Sequence, residues 1–322
     1  MHEKIALILS LYEEGIPLSE IQEKLKLSCQ EFSELLKIIR DAGYNTTKSY
    51  TSDGTIVNKL NKTLNFKTGN SIRINVKDRI LRAIFYSDLH LGSIYERPEY
   101  LNIVNEYALA HNIHVFFNGG DMVENVYRDS PIPLKYSTIE EQVNHVIDVH
   151  PYHKNQIYFN LYGNHDYKSI IDNGLDIARI IEDKRYDMIS LGYGCCIIHL
   201  KDDSIAIVHD LKKKSKLNFP SNINLIFRGH SHKFKNRENK IIYIPSLSDN
   251  NNAAYEFKPL VGFLDTEFIF YNKKIAKVNI KQLAIVNDEI RLANEETIPL
   301  IPDYVDRRSK GRSLTKDKNS SN

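Results

Sequence analysis

Histidines and acidic residues recur in five short blocks, and each block follows an apolar, β-branched run. The blocks read SDLHLG (87–92), GGD (119–121), GNHD (163–166), VHD (208–210) and GHSH (229–232). Oxygen and imidazole ligands without a thiolate suit Mn, Fe, Zn or Co better than Mg or Ca. Two such ions held close together can clamp a phosphate and lower the pKa of a bridging water. The pattern therefore predicts ligands on loops at strand ends and metal-dependent chemistry on a phosphate ester.

The spacing within the blocks predicts how the side chains converge. Asp88 and His90 are two residues apart, which in a β conformation directs both side chains to one ion, and His230 and His232 have the same spacing. Asp121 follows two glycines that permit a sharp turn, and its two oxygens could bridge two cations. Further oxygen and imidazole ligands are offered by Asn164 and His209.

The third block also carries candidate catalytic residues. His165 lies beside the predicted ligand Asn164 and is a candidate general acid for the leaving oxygen. Asp166 is expected to orient the His165 imidazole through its second nitrogen. The arrangement requires no covalent nucleophile.

The five blocks, in this order, resemble those of the calcineurin-like metallophosphoesterase superfamily over roughly residues 80–270. The resemblance implies a four-layer α/β/β/α sandwich with two divalent metal ions at the sheet ends, Mn²⁺ first and Fe, Zn or Co as alternatives. It assigns one ion to Asp88, His90, Asp121 and His232. It assigns the other ion to Asp121, Asn164, His209 and His230, with His165 as the acid.

Differences from the motifs of several subgroups indicate which part of the superfamily this chain resembles. Ser/Thr protein phosphatases usually carry Asp-Arg-Gly after the second block and GNHE at the third, whereas this chain has Met122-Val123-Glu124-Asn125 and GNHD. It looks more similar to SbcD-type nucleases and related phosphodiesterases. Lipid-precursor pyrophosphatases of the superfamily tend to have Arg where His165 stands.

The elements around the blocks indicate an α/β protein preceded by a small helical module. Apolar spacing predicts helices from residue 4, around residues 21–27 and from the N-cap Ser28, where Glu31 completes a capping box. Three short helices followed by the polar stretch 45–79 resemble a helix-turn-helix or winged-helix module with its linker (residues 1–79). Strand–helix alternation and then consecutive strands predict a phosphoesterase domain over residues 80–290. The basic tail, residues 303–322, is expected to be disordered.

Composition favours a reducing compartment. The chain has three cysteines, of which Cys195 and Cys196 are adjacent, so a disulfide framework is not indicated. No apolar stretch is long enough to span a bilayer, and no signal peptide is recognisable. A cytoplasmic protein without a membrane partner is expected.

His145, His150 and His153 could be mistaken for a second metal site, but Pro151 interrupts them.

The charge distribution leaves the partner open. Residues 1–44 carry five Lys/Arg against eight Asp/Glu, and residues 45–79 carry seven against two. Nucleic acid could be held by the second stretch, with Lys37 and Arg40 on the third helix, or residues 1–79 could bind a protein or self-associate. A basic rim near the blocks either steers a polyanion or is a solvated face: Lys168, Lys212, Lys213, Lys214, Lys233, Lys235 and Arg237.

Three functions are weighed for the whole chain. The leading hypothesis is a nuclease-like phosphodiesterase that uses a metal-activated water. The alternatives are a phosphatase or phosphodiesterase of small molecules such as nucleotides, and a catalytically inert DNA-binding or scaffold protein. Scaffolds of this fold typically lose ligands, and here every ligand position is filled.

Overall fold

A computed structural model describes residues 2–42, 44, 46–60, 71–126, 132–210, 223–232, 239–249 and 260–301. The helices are α1 (His2–Glu13), α2 (Leu18–Leu25), α3 (Cys29–Asp41), α4 (Pro98–Ala110), α5 (Ile139–Val149), α6 (Asn164–Asn173) and α7 (Ile177–Lys184). The first strands are β1 (Thr46–Thr51), β2 (Ile56–Leu60), β3 (Ser71–Asn75), β4 (Ile80–Tyr86), β5 (Val115–Asn118), β6 (Ile157–Tyr162) and β7 (Met188–Tyr193). The later strands are β8 (Cys195–Leu200), β9 (Asp203–Val208), β10 (Ile223–Arg228), β11 (Ile241–Tyr243), β12 (Gly262–Tyr271), β13 (Lys274–Val286) and β14 (Glu289–Pro299).

The strands form two seven-stranded sheets that pack face to face. Sheet A has the order β11-β10-β9-β8-β3-β1-β2, and sheet B has the order β14-β13-β12-β4-β5-β6-β7. Phe85 of β4 and Phe227 of β10 stack across the interface with ring centroids 4.0 Å apart, so the core lies between the sheets. Helices α4, α5 and α7 cover the outer face of sheet B, where Leu101 and Val146 pack with Phe116 in a second core. The mixed α/β sandwich expected from the sequence is thus confirmed.

The three N-terminal helices pack into the main core. The capping box of α3 is present, since Ser28 Oγ accepts from Glu31 N–H and the Glu31 carboxylate accepts from Ser28 N–H. Phe32 of α3 is fully buried and meets the edge of Tyr186 at 5.3 Å. Arg40 contacts Asp183 of α7 at 2.7 Å, and Lys37 lies 3.8 Å from the same carboxylate. Both basic residues that could have read nucleic acid from α3 therefore face a carboxylate of this chain.

The stretch after these helices adds strands to sheet A. β1 pairs with β2 in an antiparallel hairpin and with β3 in parallel, and β3 pairs with β8. The strands before residue 79 and those after it therefore share one sheet. The boundary drawn there, and the winged-helix character of residues 1–79, stay predictions. The basic tail 303–322 lies outside the described residues.

Some strands cannot be predicted from the periodicity of apolar residues. β1 reads Thr-Thr-Lys-Ser-Tyr-Thr and buries only Tyr50, because most of its side chains lie on a half-exposed face. β14 is a largely exposed edge strand, held by the hydrogen-bond ladder to β13. The hairpin around Asn272 and Lys273 is confirmed, and both residues have positive φ. In the part of the chain described above, no helix has the length and apolar character needed to cross a membrane.

Candidate metal centre

Every block follows the carboxyl end of a strand that has a parallel neighbour. β4, β5 and β6 are consecutive parallel strands of sheet B, and β9 and β10 are parallel neighbours in sheet A. Loops at the carboxyl ends of parallel strands emerge at one edge of a sheet. The face-to-face packing of the sheets then brings both sets of loops together.

The predicted ligands form two adjoining groups of three. Potential ligand atoms lie within 4.8 Å of one another in each group, which contain Asp88, His90 and His232, and Asp121, His209 and His230. In the first group, His232 Nε2 lies 3.1 Å from His90 Nε2 and 3.3 Å from Asp88 Oδ1. In the second, His209 Nε2 lies 2.8 Å from Asp121 Oδ2. The groups adjoin, since His209 Nε2 is also 4.0 Å from Asp88 Oδ1.

The backbone that presents these side chains is left-handed, and the β geometry expected from the i, i+2 spacing is wrong. Positive φ values of 47° to 67° occur at five ligand positions: Asp88, His90, Asp121, His230 and His232. Such conformations are costly for residues other than glycine, and they cluster at functional sites where the surrounding structure imposes them. Here the loops brace each other, because Leu89 N–H donates to Asp121 O at 2.9 Å and Leu91 N–H donates to Met122 O at 3.0 Å.

Two glycines leave the space that the ligands occupy. A Cβ on Gly120 would lie 2.2 Å from His209 Nδ1, and φ at Gly120 is +116°. A Cβ on Gly163 would lie 2.2 Å from Asp121 Oδ1 and 2.6 Å from His209 Nε2. The GGD and GNHD blocks need these glycines because carboxylate and imidazole pack directly against the backbone.

The hydrogen bond at one nitrogen of His209 orients its second nitrogen toward the carboxylates of the site. His209 Nδ1 lies 2.8 Å from Gly119 O, which places the proton on Nδ1 and turns Nε2 inward. His209 Nε2 is fully buried and faces two carboxylate oxygens, Asp121 Oδ2 at 2.8 Å and Asp88 Oδ1 at 4.0 Å. Buried acceptors that face each other are costly unless a proton or cation lies between them. The donor set therefore fits a divalent metal centre.

The charges of the buried carboxylates at the site also favour a bound cation. Burial disfavours the Asp88 carboxylate, but His232 and His209 outweigh it and lower its pKa to about 2. Burial likewise opposes ionisation of Asp121, yet His209 holds its pKa well below the usual range. Burial disfavours the imidazolium of His209, but Asp121 and Asp88 raise its pKa to about 10. Without metal, a proton on His209 thus balances the carboxylates, and a metal ion would replace it.

Glu124 is a site residue that the sequence reading did not assign. Its carboxylate is buried, and Oε2 lies 2.7 Å from Nδ1 of His90. His90, Glu124 and His165 form a third group of potential ligand atoms within 4.8 Å. A carboxylate at the outer nitrogen of a ligating histidine fixes the ring and raises its basicity. In the sequence, the feature that could have indicated this role is the position of Glu124, three residues after the predicted ligand Asp121.

His165 lies beside the first group in a position that suits a proton donor. Its ring meets the His90 ring edge-on with centroids 4.7 Å apart, and 21% of its side chain is exposed. Nδ1 lies 2.8 Å from the backbone oxygen of Glu124, which identifies Nδ1 as a donor. Nε2 is therefore the nitrogen that can exchange a proton with a substrate.

The role expected for Asp166 is wrong. Its buried carboxylate accepts hydrogen bonds from the backbone N–H groups of Met122, Val123 and Gly163 at 2.8–3.1 Å. The carbonyl of Glu124, and not Asp166, holds His165 Nδ1. Asp166 ties the GNHD loop to the GGD loop, because the first residues of α6 turn its side chain back toward the preceding strand ends.

Other predicted residues have mixed outcomes. Asn164 is the first, exposed residue of α6, and its role as a ligand stays a prediction. His145 Nε2 lies 3.1 Å from Glu96, whereas His150 Nε2 lies 3.0 Å from the hydroxyl of Tyr86. These two histidines thus have separate partners. In the basic rim, Lys168 lies 3.8 Å from Asp172, and the other rim residues lie outside the described part of the chain.

Comparison with known proteins gives weak similarity only. No model of a protein family matches the chain, and no curated protein matches it in sequence. Among solved structures, the phosphoesterase Yfce from E. coli superposes with a TM-score of 0.38 and 15% identity, over 67% of this chain and 98% of that one. The calcineurin-like phosphoesterase YfkN from Bacillus subtilis superposes with a TM-score of 0.33 and 8% identity, over 68% and 90%. Similarity at this level does not assign a function, which must be inferred from the site geometry.

Proposed function

We propose that the chain is a metal-dependent phosphoesterase with two divalent ions at this centre. One observation carries the proposal: two triads of carboxylate and imidazole adjoin, and His209 Nε2 of one triad lies buried 4.0 Å from Asp88 Oδ1 of the other. Asp88, His90 and His232 would hold one ion, and His209 and His230 the other, with Asp121 between them. Bound divalent ions supply positive charge for the phosphate oxygens and a water of lowered pKa.

The chain's own residues handle the proton and the orientation. His165 donates a proton from Nε2 to the leaving oxygen, while Glu124 O holds Nδ1. The Glu124 carboxylate lies near the same nitrogen, with Oε1 3.7 Å from His165 Nδ1. The N–H of His165 donates to Asp121 Oδ1 at 3.0 Å. Together with Asp166, this hydrogen bond holds the start of α6 over the site.

We infer further that the substrate is a phosphodiester, with nucleic acid as the substrate class and Mn²⁺ as the preferred ion. When water attacks the phosphorus of a nucleic-acid diester, the P–O bond that breaks releases an alkoxide, which is a poor leaving group, and an imidazole beside the centre can give it a proton. The site also opens to solvent, because 37% of the His230 side chain is exposed and Asn164 is exposed. An open rim admits a polymer as well as a small ester.

The test is hydrolysis by the full chain with Mn²⁺, using bis-p-nitrophenyl phosphate, single-stranded DNA and a mononucleotide. We expect cleavage of both diesters, with about a 100-fold or greater loss on both for Asp121→Asn and a loss of that size for His165→Ala on DNA, whose alkoxide leaving group needs the proton. The exposed His111→Ala serves as the histidine control and should keep full activity. Activity that survives loss of Asp121 contradicts the site, and preference for the mononucleotide favours a small-molecule phosphatase. Equilibrium dialysis that finds no bound metal would favour the inert scaffold.

A further inference from the structure

The first turn of α6 carries an exposed aromatic residue beside the centre. Tyr167 follows Asn164 by three residues and is 47% exposed. Residues three apart lie on the same side of a helix, whereas His165 and Tyr167 are about 200° apart around its axis. His165 faces His90, so Tyr167 lies on the other flank of the same turn.

That flank adjoins the second group of ligands. The ring of Tyr167 meets Tyr193, at the end of β7, with centroids 5.4 Å apart. The next residue, Gly194, donates to Tyr162 O and accepts from the N–H of His209, each at 2.9 Å. The ring partner of Tyr167 thus directly precedes a residue whose backbone binds that of His209, and helical side chains lean toward the helix N-terminus, here the side of the centre.

The ring of Tyr167 packs on a neighbouring ring that is itself held in place. The Tyr167 and Tyr193 ring planes meet at 62°, and the Tyr193 hydroxyl donates to Asp176 Oδ1 at 2.9 Å, while Tyr193 also packs on the fully buried Tyr162. A half-exposed aromatic ring with a fixed orientation presents a π-face to solvent at little entropic cost on binding. Planar groups stack on such a face, and an unpaired nucleobase is the planar group that a phosphodiester can carry.

We propose that Tyr167 stacks a nucleobase on the substrate, on the nucleoside that stays attached to phosphorus. This assignment rests on the proposed phosphoesterase function and deepens it. His165 protonates the leaving oxygen, so the leaving group lies on the His165 side of α6. Tyr167 stands on the opposite flank of α6, so the stacked base belongs to the nucleoside that stays attached to phosphorus. A base must leave its duplex partner to stack on a side chain, so the substrate is single-stranded nucleic acid or a nucleotide ester and not an intact duplex.

Two substrates with the same leaving group test the assignment. They are thymidine 5′-(p-nitrophenyl phosphate) and methyl p-nitrophenyl phosphate, with Mn²⁺ and the full chain. Tyr167→Ala should lower kcat/KM for the thymidine ester about tenfold, mostly through KM, and should leave the methyl ester unchanged. Tyr167→Phe keeps the ring and should behave as wild type. Ile171→Ala, one turn further along the exposed face, should change neither substrate. Equal effects of Tyr167→Ala on both esters, or none on either, would overturn the assignment.

Binding without turnover separates this inference from the proposed function. A fluorescent oligothymidylate is titrated into the Mn²⁺-loaded His165→Ala protein, with and without Tyr167→Ala, and anisotropy is followed. About tenfold weaker binding on loss of the ring supports stacking even where wild type cleaves no ester, which would refute the hydrolytic function alone. Unchanged binding refutes stacking and leaves hydrolysis standing.

Discussion

Glu124 Oε2 lies 2.7 Å from His90 Nδ1, while the opposite nitrogen of the same ring, Nε2, lies 3.1 Å from His232 Nε2. His90 is thus held between a buried carboxylate and the candidate metal. The carboxylate fixes the ring and makes Nε2 a better ligand.

Replacing Glu124 by Gln keeps the shape and removes the charge behind His90. We expect affinity for Mn²⁺ to fall about 10- to 100-fold, as is typical for residues that orient a ligating histidine. Isothermal titration calorimetry measures the affinity. Glu99→Gln, at an exposed carboxylate on α4, is the matched control. If Glu124→Gln binds Mn²⁺ as tightly as wild type, Glu124 does not position the ligand.

The metal-free protein should lose stability at alkaline pH. Asp121 and Asp88 raise the folded-state pKa of His209 from 6.5 to about 10, against the effect of burial. The imidazolium therefore contributes stability that is complete below about pH 6.5 and is lost as pH rises toward 10. Urea unfolding in a chelator between these limits measures the decline. Mn²⁺ should flatten the curve, and its affinity should increase with pH because binding displaces the His209 proton. An affinity that falls over this range would contradict the assignment of His209 as a ligand.

Gly163→Ala should prevent metal binding although it replaces none of the ligand residues. The added methyl would lie 2.2 Å from Asp121 Oδ1, and φ is −90°, so the backbone itself tolerates alanine. Gly174→Ala is the control at the other end of α6, where no atom lies within 4 Å although φ is +68°. That control should cost about 1 kcal/mol of stability and keep full metal content. Metal analysis after dialysis distinguishes the two variants, and normal metal content in Gly163→Ala would show that the ligand geometry is misassigned.

Ser33→Ala should destabilise the whole chain and not only α3. Ser33 Oγ is buried, donates to Cys29 O at 2.8 Å and accepts from the N–H of Tyr186 at 2.9 Å. Its loss leaves that N–H unpaired, which costs about 1–3 kcal/mol. We expect one urea transition shifted as a unit, because Phe32 and Tyr186 belong to the core shared by both sheets. The exposed Ser10→Ala should shift nothing. A separate early transition that alone moves would identify residues 1–42 as an independent domain.

Several strands and the start of one helix could be predicted from short stretches of sequence. Short apolar runs indicated β4, β5, β6 and β9, and the polar residues after them marked strand ends. The capping box at Ser28 predicted the start of α3 without any tertiary information. The polar strand β1 and the edge strand β14 could not be found in this way, because hydrogen bonds to neighbouring strands hold them and apolar burial contributes little.

The amino-acid sequence by itself determined which ligand types follow which strands, and hence that carboxylates and imidazoles would gather at one end of an α/β sandwich. Only the tertiary structure decided that Glu124 stands behind His90, that Asp166 binds backbone amides, and that Lys37 and Arg40 face Asp183. Ligand identity is a property of single residues and their neighbours along the chain. The partners of those residues lie on loops and helices far away in sequence, and the packing of two sheets and left-handed loop conformations bring them together.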